Sequence, residues 1–497
     1  MSNALLGLII VLGAALRFYD VGAESYQLDE IDTLLMGQEG LRKILVESEG
    51  RPPVYLLVAH FWMQIFGTTE AATRSLSALA GVASIALMYA VGHQFSGRKV
   101  GLLSALLMAI SEFQIFYSQD YRYYSLFVLM TLLSFLFCIR ALRSRKPSHF
   151  ALYVLASILL VYTQTPGVFV LAAQNLYFLL QWNRYRKVRT PWLLCQTLIL
   201  LALGPGLFLA VKATKAGAIL DWIPDPPLWR PLLTVLKYVF PLTVIRGRRY
   251  PSWITLAAGM AFFVTGTLVF ATWKGKERWL ASLKDLVATA KDRSSQTDEL
   301  LLVGCWLLCP VVLPFVLSKV FVPMFIQQYT ISAAPALYLL LALGITTVRK
   351  VVPELVSLGV LLILIVPGLQ EYYPVDIKEQ WREAAVYMEE NGRKDDVIVF
   401  APDGGGGVRS AFDWYYQGNL SGCGIGAGLS GDDAIADALA QCTSGSERFW
   451  LIIRGPDHLT AHLRAFFLDR DNEAMRLTRE QEFKDISVYL FALTGDD

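Results

Sequence analysis

Long apolar runs, separated by short polar segments, fill the first three quarters of the chain. Those at 4–19, 72–92, 99–117, 123–142, 150–164, 166–182, 193–213, 253–273, 299–318, 329–348 and 353–372 come near the ~20 helical residues that cross a hydrocarbon core of roughly 30 Å. The pattern predicts a polytopic α-helical membrane protein with about eleven transmembrane helices. One further apolar run, 52–66, is short and opens on Pro52-Pro53. It reads as a re-entrant or interfacial helix of the first loop, with a twelfth span as the rival.

Past Tyr373 the pattern changes to that of a soluble domain. KEQWREAAVYMEENG has a helical period, VIVFAP is a short apolar strand, and a glycine run follows. DDAIADALAQC (helix), RFWLIIRG (strand), LTAHLRAFFLDR (helix) and ISVYLFAL (strand) complete a predicted α/β domain of roughly 120 residues. The expected division is a transmembrane module over 1–372 and a small C-terminal α/β domain over 373–497. No internal repeat of a transporter kind is visible.

Composition sharpens this division. Of 497 residues, 55% are hydrophobic and 17% charged, with a mean hydropathy of +0.45; a soluble chain carries roughly a quarter charged residues. The net charge of +2 gives no nucleic-acid signature, because the basic residues cluster in alternate loops. Arg98 and Lys99, Arg140 to Lys146, Arg184 to Arg189, Lys274 to Arg293, and Arg349 with Lys350 mark one side. The positive-inside rule makes that side cytoplasmic, with the N-terminus inside and the loops 20–71 and 214–252 and the C-terminal domain outside. Residues 1–16 lack a basic n-region and read as a retained first helix. Cys138, Cys195, Cys305 and Cys309 lie in or beside apolar runs as small buried hydrophobes. Cys423 and Cys442 share the outer domain; whether they pair stays open, because sequence supplies no distance.

Three outer segments carry candidate chemistry. The first loop opens with Gln27-Leu28-Asp29-Glu30. A solvated acidic helix start accounts for that pair; the functional alternative is a general base at headgroup level, able to take a proton from an acceptor hydroxyl. Further along, Arg51 precedes the rigid Pro52-Pro53 turn and offers a donor fork suited to phosphate oxygens. The loop between the third and fourth spans reads Tyr117-Ser118-Gln119-Asp120-Tyr121-Arg122-Tyr123-Tyr124. An aromatic belt explains its tyrosines but does not require Asp120 or Arg122.

These segments, with TRSLSALAG, the late PALYLLLALG and WREAAVYMEENGRKDDVIVF, resemble the GT-C glycosyltransferases of the protein-mannosyltransferase and aminoarabinose-transferase superfamily over roughly residues 5–395. The resemblance implies transfer of a sugar, with inversion, from a polyprenyl-phosphate carrier to an acceptor protein, lipid or glycan on the outer face of a bacterial inner membrane. Asp29 would be the catalytic base, Glu30 its neighbour in the acidic pair, and Asp120 would stand where the family usually has Glu. Arg51, Arg122, Lys319 and Tyr329 would meet the carrier phosphate. No cofactor is implied with certainty, and a divalent ion is left open.

Two departures stand out. A His-Tyr pair common after the fifth span is replaced by Thr163-Gln164-Thr165-Pro166, and a common Arg-Tyr is Gln328-Tyr329 here. Lys319, or Arg246, Arg248 and Arg249, are the substitutes for that arginine, against a plain lipid-headgroup role. Two rivals follow: a catalytically silent relative that binds lipid-linked glycan, or a lipid-linked-sugar transporter. A transporter places its charges near the midplane, whereas these cluster on one face.

The remaining signals are weaker. Gly404–Gly407 lacks the Lys-Ser/Thr of a phosphate loop and reads as a flexible loop. His458 and His462 have an i, i+4 spacing but no third ligand nearby, and His60 and His93 read as packed or interfacial. WIPDPPLW (222–229) reads as an interfacial turn, with sugar stacking by Trp222 or Trp229 as the alternative.

Overall fold

A computed structural model describes residues 2–46, 51–215, 223–240, 295–347, 351–403, 407–426, 429, 431–455, 461–468 and 475–493. The chain forms two compact units. The first comprises Met1–Val21, Glu39–Gly67 and Ala72–Pro374; the second comprises Gly22–Gln38, Thr68–Ala71 and Val375–Asp497. The second unit thus takes in parts of the first loop besides the C-terminal segment.

The first unit is helical. Its helices among the described residues are α1 (Ser2–Phe18), α3 (Leu41–Val46), α4 (Pro53–Phe66), α5 (Glu70–Ser96), α6 (Arg98–Ile110), α7 (Glu112–Ser118), α8 (Tyr124–Ser144), α9 (Pro147–Thr163), α10 (Gly167–Leu180), α11 (Arg189–Lys215), α12 (Arg230–Lys237), α13 (Ser295–Val320), α14 (Ala334–Thr347) and α15 (Val351–Tyr372). Among the described residues, five stretches are long and apolar enough to cross a membrane: Glu70–Ser96, Tyr124–Ser144, Arg186–Gly206, Asp298–Val320 and Gln327–Thr346. The bent pair α6–α7 makes a sixth if counted as one span. The runs predicted at 4–19, 150–164, 166–182 and 353–372 are helical but shorter, 14 to 17 residues in their apolar parts. At 1.5 Å per residue they reach roughly 21–26 Å. The run 253–273 lies outside the described residues.

Sequence explains several boundaries. Pro53 opens α4 at a position where a missing N–H costs nothing. Thr163-Gln164-Thr165-Pro166 ends α9, and α10 restarts at Gly167. Between α8, α9, α10 and α11 runs a buried polar relay: Tyr153 donates to Gln174 at 3.0 Å, Gln174 to Ser134 at 2.9 Å, and Gln196 to Tyr153 at 3.2 Å. Such bonds hold helices together where apolar contact alone does not discriminate.

The run 99–117, expected as one span, is broken by 61° between α6 and α7. Ser111 interrupts it: its hydroxyl is the acceptor for the Gln114 N–H and donates to the Tyr238 carbonyl at 2.9 Å. The break strands carbonyls at the end of α6. Arg17, wholly buried on α1, answers them, donating to Met108 O and Ala109 O at 3.0 Å each and to Ser118 Oγ at 3.2 Å.

The second unit holds α2 (Leu28–Gln38), α16 (Trp381–Asn391), β1 (Val397–Asp403), α17 (Val408–Tyr415), β2 (Ser421–Gly426), α18 (Asp432–Thr443), β3 (Arg448–Arg454), α19 (Ala461–Leu468), β4 (Met475–Phe483) and β5 (Ile486–Leu493). The sheet order is β2-β1-β3-β5-β4. β1 runs parallel to β2 and β3, while β5 runs antiparallel to β3 and β4. The apolar runs of β1 and β3 lie at its centre, as strands covered on both faces do. Arg448 and the Trp450 indole hold the buried Asp396 just before β1. Cys423 on β2 is disulfide-bonded to Cys442 on α18, with Cα atoms 5.5 Å apart.

Candidate active site

Asp29 and Glu30 stand in the first turn of α2, where carboxylates complement the helix dipole. Ile31 and Leu34, three apart, bury one face of this helix. The two neighbours differ sharply. Glu30 is fully buried: its Oε2 accepts the Gln27 N–H at 2.9 Å, capping the helix start, and lies 2.9 Å from Lys378 Nζ. Asp29 is exposed, and its carbonyl accepts the Thr33 hydroxyl at 3.0 Å. Glu379 takes the next backbone donor, Leu28 N–H, at 2.8 Å.

In the first unit, the segment after Arg51 meets the loop between α7 and α8. Tyr55 packs on Tyr121 and Tyr123, with ring centroids 6.0 and 6.3 Å apart, and its hydroxyl lies 3.3 Å from Ser77 Oγ. Ser77 in turn donates to the Arg122 carbonyl at 3.1 Å. Asp120 is buried, and its carbonyl accepts the Arg122 N–H at 2.7 Å, a tight turn that fixes the two residues together. The Arg122 guanidinium sits 5.1 Å from the Tyr123 ring centre. Tyr123 is also hydrogen-bonded to Tyr329, in the 3₁₀ turn Gln327–Ala333.

Beside this tyrosine cluster lies a cavity of ≈ 360 Å³. Its polar lining is Glu112, Tyr117, Asp225, Arg230, Lys237, Gln327 and Gln328, and its apolar wall includes Phe113, Phe116, Phe240 and Phe325. Tyr117 joins cavity to loop, its ring 4.6 Å from that of Tyr124. Lys319 pairs with the cavity residue Asp225 at 2.6 Å. Burial pushes the Lys237 ammonium down, Arg230 adds to this, and Glu112 opposes it. The space combines an apolar wall with two cations, Arg230 and Lys237, and two carboxylates, Glu112 and Asp225.

Of the residues singled out from sequence, Arg51, Asp120, Arg122, Lys319 and Tyr329 belong to the first unit, and Asp29 and Glu30 to the second. The segments carrying Arg51, Asp120, Arg122 and Tyr329 meet through their tyrosines. Sequence reasoning missed Glu112, Arg230 and Lys237. The signals were present: a carboxylate inside an apolar run, and cations bounding RPLLTVLK in the long outer loop. Gln328 lines the cavity at the position where the resemblance expects arginine. Trp229 is exposed, while Trp222, Arg246, Arg248, Arg249, His458 and residues 404–406 lie outside the described residues. Among the described residues, no three His, Cys, Asp or Glu side chains come together as a metal site.

The sequence model of the family described as dolichyl-phosphate-mannose-protein mannosyltransferase matches residues 50–208. An uncharacterized protein of Aquifex aeolicus is 30% identical over 193 residues, 36% of this chain and 38% of that relative's length. Among solved structures, apo ArnT from Cupriavidus metallidurans matches with a TM-score of 0.57 at 10% identity, covering 98% of each chain. The same protein bound to undecaprenyl phosphate gives 0.54 at 10%, covering 99% of this chain and 98% of its own. The archaeal oligosaccharyltransferase AglB from Archaeoglobus fulgidus, in complex with an inhibitory peptide and a dolichol-phosphate, gives 0.55 at 12%, covering 90% of this chain and 69% of its own. These solved proteins are GT-C glycosyltransferases. At such identities the likeness establishes the fold, and the chain has the GT-C fold.

Proposed function

We propose that this GT-C chain is a membrane glycosyltransferase that moves a sugar from a polyprenyl-phosphate carrier to an acceptor hydroxyl, with inversion at the anomeric carbon. The topology belonging to this reading has about eleven spans, a cytoplasmic N-terminus and the α/β domain outside a bacterial inner membrane. The observation that carries the reading is the cavity, where Arg230 and Lys237 share an apolar-walled space of ≈ 360 Å³. Support comes also from the undecaprenyl phosphate bound to ArnT and the dolichol-phosphate bound to AglB.

In the proposed reaction the carrier phosphate lies against Arg230 and Lys237, with Arg51, Arg122, Lys319 and Tyr329 completing its surroundings and Asp120 setting the turn that holds Arg122. The acceptor oxygen attacks the anomeric carbon as its proton passes to Asp29. The bond from that carbon to the phosphate oxygen breaks, and the carrier phosphate leaves with the electron pair. Fixed cations stabilise this developing charge without reorganisation, while the membrane confines the donor to one plane. Asp29 fits the base because it is the exposed member of its pair, whereas Glu30 is committed to Lys378.

The test is transfer from a panel of polyprenyl-phosphate sugars by the purified protein, with Asp29→Asn alongside. Turnover in the wild type and its loss in the variant, with undecaprenyl phosphate binding retained, is the expected result. Binding without turnover across the panel would replace this reading with the silent relative, which Gln328 in place of arginine favours.

A further inference from the structure

We propose that Lys378 and Glu379 are positioning residues for Asp29: together they fix the first turn of α2 and offset the charge of Glu30 beside the base. The proposal rests on the reading of Asp29 as the base and stands on contacts within the second unit.

An α-helix leaves its first N–H groups without internal partners, and water or a side chain must take them. At the start of α2 two buried carboxylates do so. Glu30 takes Gln27 N–H and Glu379 takes Leu28 N–H, at 2.9 and 2.8 Å. Asp29 lies next to Glu30 in sequence and yet remains exposed. The surrounding contacts hold the turn firmly. The Ser25 hydroxyl donates to the Glu379 carbonyl at 2.5 Å, and the buried Tyr26 donates its N–H to the Tyr415 hydroxyl at 2.7 Å. Glu379 Oε2 is further fixed by the Trp381 indole at 2.7 Å, and Oε1 by Arg454 Nε at 2.6 Å.

The charge arrangement matters as much as the geometry. Glu30 and Lys378 are 0% and 5% exposed, so each serves the other as a buried counterion. Besides Asp29, Glu30 and Asp32 on α2 itself, the charged and titratable groups around this turn include, among the described residues, Glu24, Tyr26, Lys378, Glu379, Arg382, Glu383, Tyr415 and Arg454, with Glu70 bonded to Tyr415 and Arg382. With Lys378 present, Glu30 is neutralised by a direct partner. Without it, a buried carboxylate loses that cation one residue from the base, and like charge makes a second ionisation harder.

The experiment measures kcat, KM and the rate–pH profile with an undecaprenyl-phosphate sugar that the wild type turns over. It compares Lys378→Met, Lys378→Met/Glu30→Gln and Asp29→Asn. Lys378→Met is expected to lower kcat about tenfold or more with little change in KM, and to move the acid limb of the profile to higher pH. In the double variant both charges are gone and the new side-chain amide can still accept Gln27 N–H through its oxygen, so most of kcat and the original acid limb return. A merely structural role would lower the stability of both variants and leave the acid limb where it was.

Wild-type kcat and profile in folded Lys378→Met would overturn the proposal, as would a double variant no better than the single one. Where Lys378→Met does not fold, the double variant decides: a wild-type acid limb supports the proposal, and a kcat as low as that of Asp29→Asn sinks it. Full activity in Asp29→Asn would instead remove the underlying assignment of the base. Loss there, with Lys378→Met at wild-type rate, removes only the positioning role.

Discussion

Replacing Arg17 with methionine keeps a long flexible stem in the same space and removes the guanidinium. That group is 0% exposed and donates to Gly13 O at 3.1 Å, to Met108 O and Ala109 O at 3.0 Å, and to Ser118 Oγ at 3.2 Å. The Met108 and Ala109 carbonyls belong to the last turn of α6, which the break at Ser111 leaves without helical donors. Each buried acceptor left unsatisfied costs about 1–3 kcal/mol, so the pair costs about 2–6 kcal/mol. Relief from holding a buried cation returns part of this, and the net loss expected is about 2–4 kcal/mol. Lysine should recover only a fraction, because a single ammonium cannot reach so many oxygens at once.

The slot that admits the guanidinium can also be closed from the other side. A Cβ at Gly81 would fall 2.3 Å from Ser118 Oγ and 2.9 Å from Arg17 Nε. Gly81→Ala should therefore displace the same group, destabilise to a similar degree, and combine with Arg17→Met less than additively. Thermal unfolding in one detergent measures the loss, and hydrogen exchange over 107–118 locates it. An Arg17→Met protein as stable as wild type, with unchanged exchange there, would refute this account of the break.

Arg230→Gln and Lys237→Met should each weaken binding of undecaprenyl phosphate about ten- to a hundredfold, read by equilibrium binding to the purified protein. Reduction of the Cys423–Cys442 disulfide, which joins residues 19 apart in sequence, should destabilise the second unit by about 3 kcal/mol, seen as faster hydrogen exchange over 421–443. Burial opposes the charge of Asp396, but Arg448, the Arg393 N–H and the Trp450 indole outweigh it and hold the carboxyl below the usual range. Its folded value lies below the unfolded one of about 3.9, so its contribution is complete above about pH 4 and is lost as pH falls through the lowered value. Asp396→Asn should flatten the acid limb of domain stability, measured by hydrogen exchange between about pH 5 and 2.

How far sequence reached depended on whether a feature was local. Pro52-Pro53 and Thr163-Gln164-Thr165-Pro166 act on their own neighbours, and helix limits fell where they predict. Apolar VIVFAP and ISVYLFAL named their strands for the same reason. β2 and β4 were invisible: SGCGIG has little strand propensity and MRLTREQEF is mostly polar and charged, and both are strands because they pair at the sheet edges. The kink at Ser111 was hidden within an apolar run, and the buried donors of Arg17 explain why it is tolerated. At the candidate site, the acidic pair and the tyrosine-rich loop were legible as motifs. The contrast between exposed Asp29 and buried Glu30 was not, because the partner that Glu30 meets, Lys378, lies far along the chain.

The three-part origin of the second unit also sets an order of events during synthesis. Leu28 precedes Glu379, its cap, by 351 residues. At about 5–20 residues per second, the ribosome makes α2 roughly 20–70 s before the residues that hold it. Through that interval Glu30 has been made and its buried partner Lys378 has not. A chain stopped anywhere before Lys378 therefore carries the acidic pair without the buried cation that Glu30 meets in the full fold.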